Sequence, residues 1–419
     1  MLHIDEVCDR PGLLDLETAL RVALGVVTPI SEHELVPLRA CAGRITAAPI
    51  TSALPLPPFD QSAVDGYGIH ADDVAAAKAG PFQIVGRLVA GAHRSPVLRK
   101  GEAIRLLTGA GISEGVAAVV MEEKATATDQ AVTIGRPAET GLNIRRAGED
   151  VAAHAEIIEP GTLIDARHVA ILAASGASQV SVKRRIKVAV LSTGDELVRA
   201  GRPRHKHQIY DSNGPMLHAL FASPAIELRT LDCCPDDPAH LRRQISRAAS
   251  VFDFLICSGG VSGSDADHVV ASVLATGGSC TKVSLALKPG KPLAVGRVGA
   301  MAVLALPGNP VAALVGALLF ARPMLQRFTG QPASTHTTMM AKVAKTFSHR
   351  LGRTEFVPVR IVGHDALGIP LLEKLGRGGS ARLRPLVVAD GLGRIPGESD
   401  DLPAGGVIKY YPFRTAFSL

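Results

Sequence analysis

The sequence predicts a multidomain α/β protein whose largest unit is a doubly wound α/β domain, with smaller β units on either side. Three features point there. From residue 183 to about 329, apolar runs of strand length alternate with helical patterns, as expected when strands and helices take turns along the chain. Those runs end in turns rich in glycine, hydroxyl and charged residues, which is how an open α/β sheet presents ligand groups at the carboxyl ends of its strands. Residues 82–133 and 331–419 instead carry short runs of strand character broken by glycine turns, a β-only pattern.

Composition narrows the function classes. A chain of 419 residues has room for two to four domains, and 47% hydrophobic with 20% charged residues fits a soluble globular protein. A net charge of +6 is mild for this length, and with 4% aromatics and no basic block interleaved with aromatics nucleic acid is not an expected partner. The first ten residues, MLHIDEVCDR, hold acids where a signal peptide needs an apolar core. The longest apolar run, 311–320, is too short to span a bilayer. Six scattered cysteines make no zinc pattern. The expectation is a cytoplasmic protein with reduced, mostly buried thiols and no membrane association.

Taken in order, residues 15–26 show helical periodicity with an acidic first turn. The prolines of LPLPPFDQSAVDGY (54–67) exclude a regular element there, and the stretch holds two acids, Asp60 and Asp65. Four strand patterns follow between 82 and 133, with Thr108 in the glycine turn that ends the second, EAIRLLTGAG. NIRRAGED (143–150) crowds two arginines and two acids into a loop, and 166–174 reads as a helix. The α/β grammar opens with the strand run 186–191, ending in Ser192, Thr193, Gly194, Asp195 and Glu196. A basic loop (199–207), Asp211, Ser212 and Asn213, a helix (214–221) and a strand (226–231) come next. Asp236-Asp237-Pro238 opens another helix, with either aspartate suited to the N-cap. VFDFLICSGGVSGSDADH (251–268) is a buried strand, a turn at Ser258-Gly259-Gly260, and then hydroxyls and acids before a helix at 268–274. LALKPGK (285–291), a strand at 301–306, Pro307-Gly308-Asn309-Pro310 and a helix at 311–328 close the unit.

Four strand-end turns therefore carry polar chemistry. Lys288 and Lys291 are two cations held by a rigid proline and a permissive glycine. Asn309 suits an N-cap and Pro310 the first helical position, and free amides at a helix start favour an oxyanion. Lysines and helix starts together suggest a phosphate-bearing or other oxyanionic ligand. Carboxylates in the same cleft would repel it by roughly 3 kcal/mol per contact at ~5 Å and an effective dielectric near 20. A divalent cation between them resolves this. Magnesium is the default, with oxygen ligands from Glu196, Asp236 or Asp267. Ordinary capping by Asp195 and Asp237, and a solvated face for 199–207, are the plain structural alternatives.

The motifs PPFDQSAVDGY (57–67), TGA (108–110), NIRRAGED, STGDEL (192–197), IYDSN (209–213), SGGVS (258–262), KPGKP (288–292) and PGNP (307–310) occur in that order. This set resembles the MoeA family of molybdopterin molybdenumtransferases, to which the E domain of gephyrin also belongs, over nearly the whole chain. The resemblance implies a helical linking domain (1–52 and 147–183) interrupted by a small β domain (53–146), a molybdopterin-binding-like α/β domain (184–330) and a C-terminal β barrel (331–419). It implies Mg²⁺-assisted insertion of molybdate into adenylylated molybdopterin with release of AMP. It further implies a homodimer with composite active sites, and the molybdopterin adenylyltransferase as a partner.

Carried onto this chain, the resemblance implies Asp60, Asp150, Glu196, Asp236, Asp267 and Lys288 as catalytic residues, with Glu196, Asp236 and Asp267 at the metal. It implies ligand contacts from Thr108, Arg145, Ser192, Thr193, Gly194, Asp211, Ser212, Asn213, Ser258, Gly259, Gly260, Lys291, Pro307, Gly308, Asn309, Pro310 and Ser380. Gln61 stands where the family usually has Asn, Gly263 and Ser264 depart from the usual acid turn, and Ser284 replaces a common basic residue, with Lys282 close by. The alternatives are a catalytically weak molybdopterin-binding scaffold, a tungstate-preferring paralogue, and a nucleotide-cleaving enzyme resembling the competence-damage-inducible family. The DQSAVDGY and RRAGED segments argue against the last.

Overall fold

The computed structural model describes residues 12–93, 95–261, 268–331, 337–376 and 381–414. Its centre is a six-stranded sheet in the order Ile226–Thr230, Ile186–Ser192, Phe254–Ser258, Met301–Leu306, Pro292–Val298, Ser279–Ser284. The first four strands are parallel, and the last two are antiparallel additions. The apolar runs are long because both faces are covered. Val188, Val190, Ile256 and Leu304 face a core completed by helices Asn213–Phe221 and Arg322–Thr329 and by helix Leu16–Gly25. The alternate residues Ala189, Leu191, Leu255 and Val303 face helices Pro238–Ala249 and Val269–Ala275.

The sheet differs from the sequence expectation in one respect. Strand and helix do not alternate to its end: Pro292–Val298 and Met301–Leu306 form a hairpin, and Ser279–Ser284 pairs beyond it. Pro292 and Gly296 weaken the strand signal, and a proline is tolerated because it begins its strand.

Caps fall where side-chain chemistry puts them. Asp15 accepts from the Thr18 N–H and Asp165 from the Arg167 and His168 N–H groups. Asp237, rather than Asp236, caps Pro238–Ala249. One helix among the described residues, Pro310–Thr329, is long and apolar enough to cross a membrane (hydropathy 1.3), and 72% of that stretch is buried inside the protein. It widens to a π turn at Ala317–Ala321, just before Pro323. Proline has no N–H to give the preceding turn and crowds its carbonyl, and the wider turn relieves both.

Upstream of the α/β unit, His33–Pro37 pairs with Gln179–Lys183 and Ile50–Thr51 with Glu156–Ile158, bracketing the residues between. Within the bracket lies a six-stranded sheet in the order Val116–Met121, Gly66–His70, Glu102–Leu106, Phe82–Leu88, Ala131–Ile134, Ala125–Ala127. The 54–67 stretch is less irregular than its prolines predict. Gln61–Ser62 pairs with Ile144–Arg145, and Gly66–His70 is a buried inner strand, because the prolines bar only the first half.

Downstream, the 11-residue strand Thr354–His364 pairs with both Pro370–Lys374 and Gly391–Ile395. Met339–Val343 and Val407–Pro412 complete a closed five-stranded barrel around Phe347, Val359, Leu372, Ile408 and Tyr410. Leu287–Lys288, from the α/β unit, adds to the edge of Thr354–His364 in parallel register.

Candidate functional site

The carboxyl ends of the parallel strands interlock. Thr193 N–H donates to Ser258 O, Gly259 N–H to Leu306 O, Cys234 N–H to Ser192 O and Gly194 N–H to Cys234 O. Gly259 has φ +103°, and a Cβ there would meet the Thr193 carbonyl at 2.5 Å, so only glycine lets these two loops approach. The buried Asp211 carboxylate accepts from the N–H groups of Asn213 and Gly214, both at 3.0 Å, and so starts helix Asn213–Phe221. Ser212 occupies the N-cap position without a side-chain bond. Asn213 Nδ2 donates to Ser258 Oγ (2.8 Å) and to Gly308 O (2.7 Å), tying three strand ends together.

Among the described residues, three buried oxygens in this cradle have no protein partner: Ser192 Oγ, Thr193 Oγ1 and Asn213 Oδ1. Buried polar groups are ordinarily satisfied, so a cluster of open ones marks a place for a polar ligand or water. Beside it, burial first and the Asp211 carboxylate second push the Cys233 thiol up to about 11. It is therefore protonated and faces Asp211 Oδ2 at 3.8 Å.

The acids lie on two adjacent loops. Glu196 folds its carboxylate over Gly194, and Asp236 N–H donates to Asp195 Oδ1 at 3.0 Å. Among the described residues no three His, Cys, Asp or Glu side chains converge as a ready cation cage. Magnesium does not demand one, since it is commonly held by one or two carboxylates with substrate phosphates and water. Glu196 and Asp236 therefore fit as donors. Asp267 lies outside the described residues, as do Gly263, Ser264 and Ser380.

A cavity of about 380 Å³ opens between the α/β unit and the barrel. From the α/β side, Lys288, Lys291, Pro307, Gly308 and Asn309 line it; from the barrel side, Arg353, Glu355, Lys374 and Arg382 do. Among the described residues, five cations against one carboxylate give it a positive lining, which favours an anion. Asn309 stands at the N-cap of helix Pro310–Gly316 but makes no side-chain cap bond, with Pro310 in the first helical turn. Lys288 is placed by strand pairing as well as by its neighbouring prolines, and its Nζ lies 3.1 Å from Glu355. The sequence reading missed the barrel's cations and Glu355. They come from three separated segments, and GRTEFV carries no local sign of a cavity.

The remaining predicted residues gather elsewhere. Asp60 accepts from Ala147 N–H (2.8 Å) and Arg146 (2.6 Å), and those bonds hold its carboxyl below the usual range. Thr108 donates through N–H and hydroxyl to Asp65, both at 2.7 Å. Arg145 pairs with Glu149 at 2.6 Å, and Gln61 sits opposite Arg145 in the two-strand ladder. Asp150 is exposed and its N–H donates to Leu56 O. All the partners just named for Asp60, Thr108 and Arg145 belong to the N-terminal region, apart from the cradle and the cavity.

Comparison with known proteins agrees with this division. Residues 14–176 match the MoeA N-terminal region (domain I and II), 189–327 the probable molybdopterin binding domain, and 340–413 the MoeA C-terminal region (domain IV). The chain is 35% identical to a molybdopterin molybdenumtransferase of Haemophilus influenzae over 320 residues, covering 76% of this chain and 78% of that protein. It is 33% identical to molybdopterin molybdenumtransferase 2 of Mycobacterium tuberculosis, covering 88% and 92%. A crystal structure of the molybdopterin biosynthesis MoeA protein from Pyrococcus horikosii superposes with a TM-score of 0.79 at 29% identity, over 96% of this chain and all of that one. With three family segments in order, relatives above 30% identity over most of both chains and a shared fold, the chain belongs to the molybdopterin molybdenumtransferase family, MoeA, of molybdenum cofactor biosynthesis.

Proposed function

We propose that this chain inserts molybdate into adenylylated molybdopterin, releasing AMP, with Mg²⁺ as the helper cation. The observation that carries this reading is the junction of two sites. A cavity lined by five cations among the described residues, suited to an oxyanion, shares Gly308 with a cradle whose buried oxygens lack partners among those residues, suited to a polar organic ligand. Lys288 and Lys291 bind the oxyanion, and the cradle from Ser192 to Gly194, Asp211 to Asn213 and Ser258 to Gly260 binds and orients the pterin nucleotide. Mg²⁺ at Glu196 and Asp236, with Asp267 as the third expected donor, neutralises phosphate charge. Ser380, also outside the described residues, is the barrel's expected contribution.

The N-terminal cluster of Asp60, Thr108, Arg145 and Asp150 completes the site from the second subunit of a homodimer. The working division is a linking domain at 1–52 and 147–183, a small β domain at 53–146, an α/β domain at 184–330 and a barrel at 331–419. The enzyme acts in the cytoplasm and receives its substrate from a molybdopterin adenylyltransferase. Purified protein given adenylylated molybdopterin, Mg²⁺ and molybdate should release AMP in step with molybdenum uptake. Binding of the nucleotide without AMP release would favour the scaffold reading, and release with tungstate in preference to molybdate the paralogue.

Lys288→Ala tests the anion wall. A charge-assisted contact contributes about 1.5–3 kcal/mol, so tungstate or molybdate affinity should fall about tenfold to a hundredfold in calorimetry. The melting temperature should barely move, because Glu355 keeps His349 and Lys374 as partners. Unchanged affinity, or a collapsed fold, contradicts the role.

A further inference from the structure

Beneath the lysines of the cavity lies a carboxylate that an anion site would not ordinarily recruit. Glu355 is 3% exposed. Its Oε1 stands 3.1 Å from Lys288 Nζ and 3.6 Å from Lys374 Nζ, and its Oε2 is 3.0 Å from His349 Nδ1. Facing a carboxylate, His349 Nδ1 must donate. The His349 side chain is 1% exposed, and its Nε2 is buried with no partner among the described residues, so the ring is held through Glu355. The His349 backbone N–H is itself bonded to Asp401 Oδ1 at 2.7 Å.

The carboxylate is tied on several sides. Lys288 and Glu355 are also register partners in the parallel ladder between the α/β unit and the barrel. A lysine on its own has a flexible stem and much rotamer freedom to lose on binding a ligand. An ammonium already fixed loses less, which is the advantage of preorganisation. The same carboxylate also repels an incoming anion, so its net effect on binding has two opposed contributions that an experiment can separate by sign.

We propose that Glu355, braced by His349, is the positioning residue that sets the Lys288 and Lys374 ammonium groups on the wall of the oxyanion cavity; this rests on the reading of that cavity given above. Glu355→Gln preserves size and makes the site more positive by one charge. Charge alone predicts tighter tungstate binding. Positioning predicts weaker binding, by about tenfold, the scale on which supporting partners of ligand-holding groups act.

The test is calorimetric titration of the full-length protein with tungstate. Equal or tighter binding by Glu355→Gln overturns the proposal. In a Lys288→Ala, Lys374→Ala background the same substitution should have little effect, and an undiminished tenfold loss there also overturns it. If Glu355→Gln does not fold, His349→Leu takes its place, with an expected loss of about threefold; unchanged affinity in that variant counts against the brace and the proposal together. A wild-type protein that binds no tungstate, or a Lys288→Ala variant that binds as wild type does, fails the cavity reading itself and takes the positioning role with it.

Discussion

In excess chelator, AMP release from adenylylated molybdopterin should fall by about a hundredfold or more and return when Mg²⁺ is restored. The cause is electrostatic. Glu196 and Asp236 sit on adjacent loops at the sheet's carboxyl end, tied through Gly194 N–H to Cys234 O and Asp236 N–H to Asp195. A nucleotide phosphate brought to ~5 Å from each would meet roughly 3 kcal/mol of repulsion per carboxylate at an effective dielectric near 20. Even half of that, after screening, amounts to about a hundredfold in rate. Tungstate binding in the cavity should survive the chelator, because its wall is built from lysines and arginines. Undiminished AMP release would remove the metal from the reaction.

The second large effect concerns subunits. Asp60→Ala and Glu196→Ala chains, each inactive alone, should regain activity when combined. Asp60 is held by Arg146 and Ala147 in the N-terminal region, and the described residues that line the cavity all fall between 287 and 385. A two-fold dimer would bring the two groups together and make two equal composite sites. In a heterodimer purified through two tags, one site would be intact and the other doubly damaged. About half the wild-type activity is then expected on site counting. A heterodimer as inactive as its parents, beside an active wild-type control, would return the site to one chain.

How legible each part was follows from how local its signal is. The strands Ile186–Ser192, Phe254–Ser258 and Met301–Leu306 stand out because nearly every residue in them is buried, which demands an unbroken apolar run. Pro292–Val298 was hidden by its proline and glycine, and Gly66–His70 by the prolines upstream of it. The strand-end turns were readable because glycine and hydroxyl residues there have few other uses. Asn309 was readable as a helix start, although it makes no cap bond; Asn213, singled out by resemblance alone, supplies the polar tie instead. Arg353, Glu355, Lys374 and His349 were invisible because each sits in an ordinary strand or turn. Only the closure of the barrel beside Leu287–Lys288 makes them neighbours.

That added strand also decides what can be exchanged between relatives. Leu287 and Lys288 are covalently part of the α/β unit, yet their ladder partners Thr354 and Glu355 belong to the barrel. Leu14, near the other end of the chain, bonds to Ser284 and Ala286 just before them, and Ala286 O accepts from Thr354 N–H. A seam cut at the apparent linker near 330 would therefore pass between two halves of one hydrogen-bonded ribbon. The exchangeable module is the barrel together with the 284–291 loop, and a graft that respects sequence boundaries alone would transplant a wall without Lys288 and Lys291.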